Sequence, residues 1–518
     1  MRTKSKVLTS RRGLIMDRNG NKLATNIKVN SIYADPHMID STEQAAKDLS
    51  LILGVNKKEL YEKLNKNTSF VWIKRKVDYE TSQKIRELQI KGLGFIEENK
   101  RLYPDGQTAS HVLGFTGMDY HGLQGIEKSL DEELQGEAGD MLAEYGAKGR
   151  KIPGSTSRYK EPVPGNNIVL TLDKHIQYFV ERELNSIVKT YNPKLAVALV
   201  MDPKTGEILA MGNQPTFNPN RWNDSPEEIW DNNPAIWYNY EPGSIFKIIT
   251  AAAALEEGSA NLESKFFDPG YVDVDGQKIK SWKQGGHGSQ TFLEIMLNSC
   301  NPGFVKVGLT LGRERFYKYI EGFGFGNVTG VKLPGEAGGI LIPESQATDL
   351  NIATQAIGQS IAVTPLQLIK AVSAVANGGK LMKPQLVKKI VTSGGEIIHE
   401  YQPKVERQVI SAKTSQEMRS ILEKVVTDGT GKQAYLDGYR VAGKTGTAEV
   451  AGDSGYVNGQ YISSFVGFAP ANNPRVTILI MIAEPKGDIY HGGLVAAPSF
   501  KAIASDTLRY LRIHRNYN

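Results

Sequence analysis

Hydrophobic positions along the chain fall into runs with strand spacing and runs with helix spacing. Near the start, Leu14-Ile15-Met16 and Lys22-Leu23-Ala24 flank Asn19-Gly20, which predicts two short strands around a tight turn. From about Thr42 to Leu93 the spacing is largely helical, strongest over Gln44–Leu53 and Tyr79–Gln89. Leu195–Met201 and Glu207–Met211 predict a hairpin across Asp202-Pro203-Lys204-Thr205-Gly206. A long, mostly helical region is expected from Ser244 to about Asn377. Strands return at Arg440–Val450, Ser464–Phe468 and Arg475–Ala483, the last two joined by Asn472-Asn473-Pro474, and a helix over about Ala497 to Leu511 follows. Early strands, a helical middle and late strands predict an α+β fold, one antiparallel sheet flanked by helices.

At 518 residues the chain exceeds one ordinary core. The stretch Gly146–Gly165, with Pro153-Gly154 and Pro162-Val163-Pro164-Gly165, is the best linker candidate. It divides the chain into residues 1–160 and 161–518. With 62 basic and 56 acidic residues dispersed along the sequence, the +6 charge gives no footprint for nucleic acid. The single cysteine, Cys300, excludes an intrachain disulfide; a small packed residue is the expectation, a redox role the lesser alternative. The longest strongly apolar run, Val476–Ala483, has strand length, so neither a transmembrane helix nor a signal peptide is expected. No internal repeat or low-complexity tract is present.

Within this pattern one helix stands out. From Ser244 to Gly258, Ile245, Phe246, Ile248, Ile249, Ala251 and Leu255 leave no polar face, which predicts a buried helix. Ser244 and Lys247 lie three residues apart, one turn above the other. A lysine buried there must find a partner or lose its proton, and a neutral amine beside a hydroxyl makes a base and a nucleophile. The spacing alone is weak, because it recurs at Ser157/Lys160 and Ser186/Lys189 and a snorkelling lysine beside a capping serine also fits.

Two further motifs follow. Asn298-Ser299-Cys300-Asn301-Pro302 offers a hydroxyl and an amide, although Asn301 before Pro302 equally resembles a helix N-cap. Val441-Ala442-Gly443-Lys444-Thr445-Gly446-Thr447 reads as a strand whose lysine and hydroxyls suit the carboxylate of an extended peptide. Ser259-Ala260-Asn261 and Lys204-Thr205-Gly206 repeat the two spacings as decoys. Gly438 with Gly443-Lys444-Thr445 also satisfies a phosphate-loop pattern, but strand residues on both sides disfavour it. No G-x-S-x-G elbow occurs, His287 and His491 read as surface loop histidines, and no cluster has the spacing of a zinc or calcium motif. Neither a cofactor nor a metal is therefore expected. S-x-x-K, S-x-N and K-T-G in this order form a combination known in penicillin-binding proteins and class A β-lactamases.

The chain resembles a class B penicillin-binding protein, a peptidoglycan D,D-transpeptidase, over nearly its whole length. Arg12-Gly13-Leu14-Ile15-Met16-Asp17-Arg18-Asn19-Gly20 matches that family's R-G-x-I-x-D-R-N-G signature, and Gly122-Leu123-Gln124-Gly125-Ile126-Glu127 its G-x-x-G-x-E. Thr171–Gln177 and Gly358-Gln359 with Val363–Gln367 resemble later segments of the transpeptidase domain. These signatures make β-lactamases and β-lactam sensors poor fits, and the sporulation-specific and related Gram-positive members are the most similar. The resemblance implies an elongated N-terminal pedestal of the dimerisation type over 1–160, followed by the transpeptidase domain.

The resemblance also implies a chemistry. Ser244 attacks the carbonyl between the two terminal D-alanines of a stem peptide while Lys247 takes its proton. The backbone N–H groups of Ser244 and Thr447 form an oxyanion hole. Ser299 relays the proton to the leaving D-alanine and Asn301 holds the donor amide. Lys444, Thr445 and Thr447 bind the terminal carboxylate, with Gly446 between them. An amine of a neighbouring stem peptide accepts the acyl group, and β-lactams acylate Ser244. A membrane glycosyltransferase partner and a location on the outer face of the cell membrane are implied as well. Family members carry an anchor upstream of the first signature, where only about ten residues stand here, so the anchor is expected to be missing from this sequence. A morphogenetic scaffold and a carboxypeptidase using water as acceptor are the alternatives.

Overall fold

A computed structural model of the chain describes residues 2–145, 158–452 and 455–515. Its centre is a five-stranded antiparallel sheet. Helix α1 (Lys174–Tyr191) leads into the hairpin of β1 (Leu195–Met201) and β2 (Ile208–Gln214). Helices α2 (Lys247–Glu256) and α3 (Asn301–Leu311) belong to the helical middle. Strands β3 (Ala442–Gly452), β4 (Gly455–Ala469) and β5 (Val476–Ala483) complete the sheet in the order β2-β1-β5-β4-β3, and α4 (Ala497–Tyr510) follows. The predicted layout is thus observed.

Strand β5 shows why this sheet forms. All eight of its residues are buried. Leu479, Met481 and Ala483 face the core shared with α2 and α3. Val476, Ile478, Ile480 and Ile482 face the opposite core, shared with α1 and α4. A strand covered on both faces reads as a continuous apolar run rather than an alternation. Truncating one such Leu or Ile to Ala costs about 2–5 kcal/mol.

The N-terminal part centres on a second sheet. Its strands run in the order Ile397–Glu400, Val387–Val391, Asn167–Leu170, Ile15–Met16, Lys22–Ala34 and Val71–Val77, with Leu93–Leu102 also paired to Lys22–Ala34. The signature residues hold it together. The Arg12 and Arg101 guanidiniums each place Nε 2.6 Å from an oxygen of Glu127, and Arg12 also reaches Asp131 at 2.6 Å. Asp17 accepts from the Asn19 and Asn21 amides, which closes the predicted turn, and from the Lys174 amide at the start of α1. A carboxylate suits a helix N-terminus. Gly13 admits no side chain, since a Cβ there would lie 1.8 Å from the Asn166 carbonyl oxygen.

Three expectations change. Val71–Val77, Val-Trp-Ile-Lys-Arg-Lys-Val, is a strand inside the stretch expected to be largely helical. Its charges sit at a sheet edge, where strands commonly carry them. The helical middle also contains four short strands, Lys265–Asp268, Tyr271–Val274, Gln277–Lys280 and Gly288–Thr291, which are largely exposed and too polar to announce themselves. Of the linker candidate, residues 146–157 lie outside the described residues. Its end is tied down, with Arg158–Lys160 paired to Gly139–Tyr145 and the Gly165 amide donating to the Arg11 carbonyl.

Candidate active site

The serine does not start the helix proper. Ser244 sits in a 3-10 turn, Gly243–Ile245, and α2 begins at Lys247 and ends at Glu256, short of the expected Gly258. The turn is wedged against its surroundings. The Gly243 amide donates to Gly358 O, and a Cβ on Gly358 (φ +81°) would lie 2.0 Å from Gly243 O. On the other side a Cβ on Gly243 would come 3.0 Å from the Thr447 carbonyl oxygen, which sets the serine turn against β3. Glu241, just before the turn, accepts from the Ser360 amide at 2.7 Å and from Tyr456 Oη at 2.9 Å.

Lys247 is fully buried, and its Nζ lies 3.2 Å from Ser244 Oγ. It also lies 2.7 Å from the Ser299 carbonyl oxygen and 2.6 Å from Asn301 Oδ1. A neutral amine has two hydrogens and one lone pair. The two short contacts take both hydrogens, and the lone pair is left for the Ser244 hydroxyl. Burial is the main cause that holds the Lys247 ammonium well below its ordinary pKa, and the neighbouring Lys444 adds to it.

Asn301 is not the helix cap that its position before Pro302 suggested. Cys300 takes the N-cap position of α3, and Asn301 is the first helical residue. Its side chain accepts from Lys247 and donates from Nδ2 to the Lys280 carbonyl at 3.2 Å, which fixes the amide's orientation. Ser299 is held in the left-handed region at φ +51°. Its hydroxyl accepts from Lys444 Nζ at 2.9 Å and stands 3.4 Å from Lys247 Nζ.

Lys444, Thr445, Gly446 and Thr447 lie on β3, paired with β4. Lys444 is fully buried, and burial pushes its ammonium down to about 7. Thr445 Oγ1 donates to Thr430 Oγ1 at 3.2 Å, and Thr447 Oγ1 accepts from the Gly492 amide at 3.0 Å. Strand β3 continues through Gly452 without a helix, so the phosphate-loop pattern has no structural counterpart. Ser244, Lys247, Ser299, Asn301 and Lys444 are therefore linked in one cluster, with Thr445 beside Lys444 and Thr447 against the serine turn. Of the other S-x-x-K pairs, Ser186 and Lys189 are exposed on α1, and Ser157 lies outside the described residues. Lys204-Thr205-Gly206 is the turn between β1 and β2.

Sequence reading missed Glu241, Thr430, Gly492 and the Lys280 carbonyl, none of which carries a motif of its own. It also misplaced His287, whose side chain is only 7% exposed and lies 2.9 Å from Asp268. With Cys300, these two gather metal-ligating groups that no sequence spacing announced: one donor atom from each, all within 4.8 Å of one another. His491 is exposed and Cys300 buried, as expected.

The chain is similar to known proteins in sequence and in fold. Residues 196–505 match the family model of the penicillin binding protein transpeptidase domain, and residues 7–170 that of the penicillin-binding protein dimerisation domain. Stage V sporulation protein D of Bacillus subtilis is 42% identical over 98% of this chain and 79% of its own length. Peptidoglycan D,D-transpeptidase FtsI of Escherichia coli is 31% identical over 98% of this chain and 84% of its own. Among solved structures, a peptidoglycan synthetase from Bifidobacterium adolescentis superposes with a TM-score of 0.79 at 30% identity, covering 100% of this chain and 98% of that one. A mycobacterial penicillin binding protein 3 in complex with aztreonam gives 0.76 at 29% identity, covering 99% and 98%.

Proposed function

The chain belongs to the penicillin-binding protein transpeptidase family, and from that premise we propose how its residues cross-link peptidoglycan. It is a serine D,D-transpeptidase that acts on stem peptides and is acylated by β-lactams. The reading of the site rests above all on Lys247, a buried amine with both hydrogens engaged and its lone pair toward Ser244 Oγ at 3.2 Å.

Lys247 takes the Ser244 proton as Oγ attacks the carbonyl of the penultimate D-alanine. The backbone N–H groups of Ser244 and Thr447 stabilise the oxyanion. The C–N bond then breaks, and the proton passes through Ser299 to the departing D-alanine amine. Asn301 holds the donor amide. Lys444, Thr445 and Thr447 bind the terminal carboxylate, and Gly446 lets the serine turn lie close to β3, since a Cβ there would come 3.0 Å from the Pro242 carbonyl oxygen. The amine of a second stem peptide next attacks the Ser244 ester and releases the cross-linked product. A β-lactam follows the first half of this path and is released slowly.

We further propose that residues 1–160 serve as the pedestal and residues 161–518 as the transpeptidase unit. The protein works at the outer face of the cell membrane through an N-terminal anchor, beside a membrane glycosyltransferase. No described helix is long and apolar enough to cross a membrane. Labelling with a fluorescent penicillin tests the site: wild type is expected to label and Ser244→Ala not at all. Labelling that persists in Ser244→Ala overturns the assignment. Product analysis with stem peptides and an amine acceptor separates cross-linking from simple hydrolysis.

A further inference from the structure

Behind the S-x-N motif lies a second cluster that the transpeptidase chemistry does not use. Asp268 ends the strand Lys265–Asp268, and His287 immediately precedes the strand Gly288–Thr291, whose first residue pairs with Asp268. Cys300 stands between Ser299 and Asn301. Asp268 and Cys300 are buried at 1% and 0% exposure.

Hydrogen bonding alone leaves this cluster crowded. Four donors converge on the single oxygen Asp268 Oδ2: Ser281 Oγ at 2.8 Å, the His287 amide at 3.0 Å, His287 Nδ1 at 2.9 Å and Cys300 Sγ at 3.4 Å. A carboxylate oxygen offers about two lone-pair sites. Replacing the thiol and imidazole protons by one cation relieves the excess. The dimensions suit that exchange. Zinc binds sulfur at about 2.3 Å, imidazole nitrogen at about 2.0–2.1 Å and carboxylate oxygen at about 2.0–2.2 Å, so tetrahedral ligand atoms stand roughly 3.3–3.7 Å apart. The separations here begin at 2.9 and 3.4 Å and do not exceed 4.8 Å. Small side-chain adjustments bring them into range.

We propose that Asp268, His287 and Cys300 form a zinc(II) site that braces the S-x-N loop. A thiolate, an imidazole and a carboxylate are a mixed donor set suited to zinc rather than to magnesium or calcium, which take oxygen ligands. Binding releases the Cys300 thiol proton to solvent, and the neutral His287 imidazole changes tautomer, its single proton passing from Nδ1 to Nε2 so that Nδ1 binds the metal. Ser281 Oγ, 2.8 Å from Asp268 Oδ2 and 3.5 Å from His287 Nδ1, stands nearest the fourth position. The metal ties two strands to the residue between Ser299, held at φ +51°, and Asn301. It is a structural clamp and touches no reacting atom. The bracing role rests on the active-site reading above; the metal site itself does not.

Elemental analysis of the purified chain and cobalt(II) titration of chelator-treated protein test the site. The expected result is about one zinc per chain, and with cobalt a tetrahedral spectrum with a thiolate-to-metal charge-transfer band. Cys300→Ser, checked as folded by circular dichroism, is expected to lose that band. Both Cys300→Ser and His287→Ala are expected to bind more than about a hundredfold more weakly, beyond the roughly 10–100-fold that an outer-shell partner costs. Wild-type protein that leaves cobalt in its octahedral aqua form overturns the site, and so does affinity unchanged in both variants. The bracing role is read separately, as slower penicillin acylation after chelation that zinc restores. Full zinc occupancy with acylation indifferent to chelation overturns the bracing and leaves the transpeptidase assignment standing.

Discussion

Two regions of this molecule bury charge-bearing side chains, and they do so for opposite ends. In the N-terminal part, Arg12, Arg101 and Glu127 have side-chain exposures of 0–2%, and both guanidiniums lie 2.6 Å from the carboxylate. Each charge there meets its opposite. In the transpeptidase part, Lys247 and Lys444 are equally buried, but their closest partners are neutral: a carbonyl, an amide oxygen and hydroxyls. The first arrangement keeps its groups ionised, as the raised Arg12 pKa reflects, with burial opposing and Glu127 and Asp131 outweighing it. The second makes protonation costly. Burial with compensation keeps charges in place, whereas burial without it favours the neutral amine, which the proposed mechanism uses at Lys247 as a base.

Substitutions that exchange the two behaviours test the contrast. The largest effect is expected at Lys247. Lys247→Arg keeps the charge but cannot deprotonate, and it should slow penicillin acylation by roughly 10²–10⁴-fold, the usual worth of a general base. Stopped-flow acylation kinetics measure this. Lys247→Met should be as inactive yet no less stable, because it removes a desolvated amine and keeps the packing volume; a lower unfolding midpoint would contradict the account. Glu127→Gln should do the reverse. It leaves Arg12 and Arg101 short of their counter-charge, at about 3–5 kcal/mol in denaturant unfolding, while folded protein still labels with penicillin.

The pH dependence of acylation gives the next test. In the proposed mechanism acylation uses neutral Lys247, so the rate should rise with pH through that group's depressed pKa. The same mechanism has charged Lys444 bind the carboxylate, so the rate should fall again as pH passes about 7. Lys444→Arg stays charged throughout and should lose the alkaline limb, whatever its absolute rate. The smallest effect belongs to an exposed pair. Lys28 and Glu97 lie 2.7 Å apart but are 61% and 63% exposed, and Lys28→Ala should cost at most about 1 kcal/mol.

What the sequence made legible follows from the same physics. A lysine in the all-apolar run around Phe246 and Ile248 contradicts its surroundings, and together with the S-x-N and K-T-G motifs downstream that contradiction singles out a candidate site before any fold is known. Strand β5 announces itself because both of its faces are covered. Val71–Val77 did not, since three consecutive cations at a sheet edge imitate a solvated helix face. Ser244 was placed one turn too deep in α2 because the pattern cannot tell a 3-10 turn from a first helical turn. Asp268, His287 and Cys300 stayed invisible because their approach depends on the pairing of two short polar strands, and nothing in local spacing encodes that pairing.

The sheet that joins Val387–Val391 and Asn167–Leu170 to Ile15–Met16 has a practical consequence for dissecting the protein. A fragment that starts after residue 160 keeps Asn167–Leu170 but loses the parallel neighbour on its other edge, along with the Arg18–Glu207 ion pair and the Asp17 carboxylate at the start of α1. An exposed strand edge recruits other chains. Such a fragment is expected to run as multimers in gel filtration, while the chain that keeps Ile15–Met16 over that edge is not.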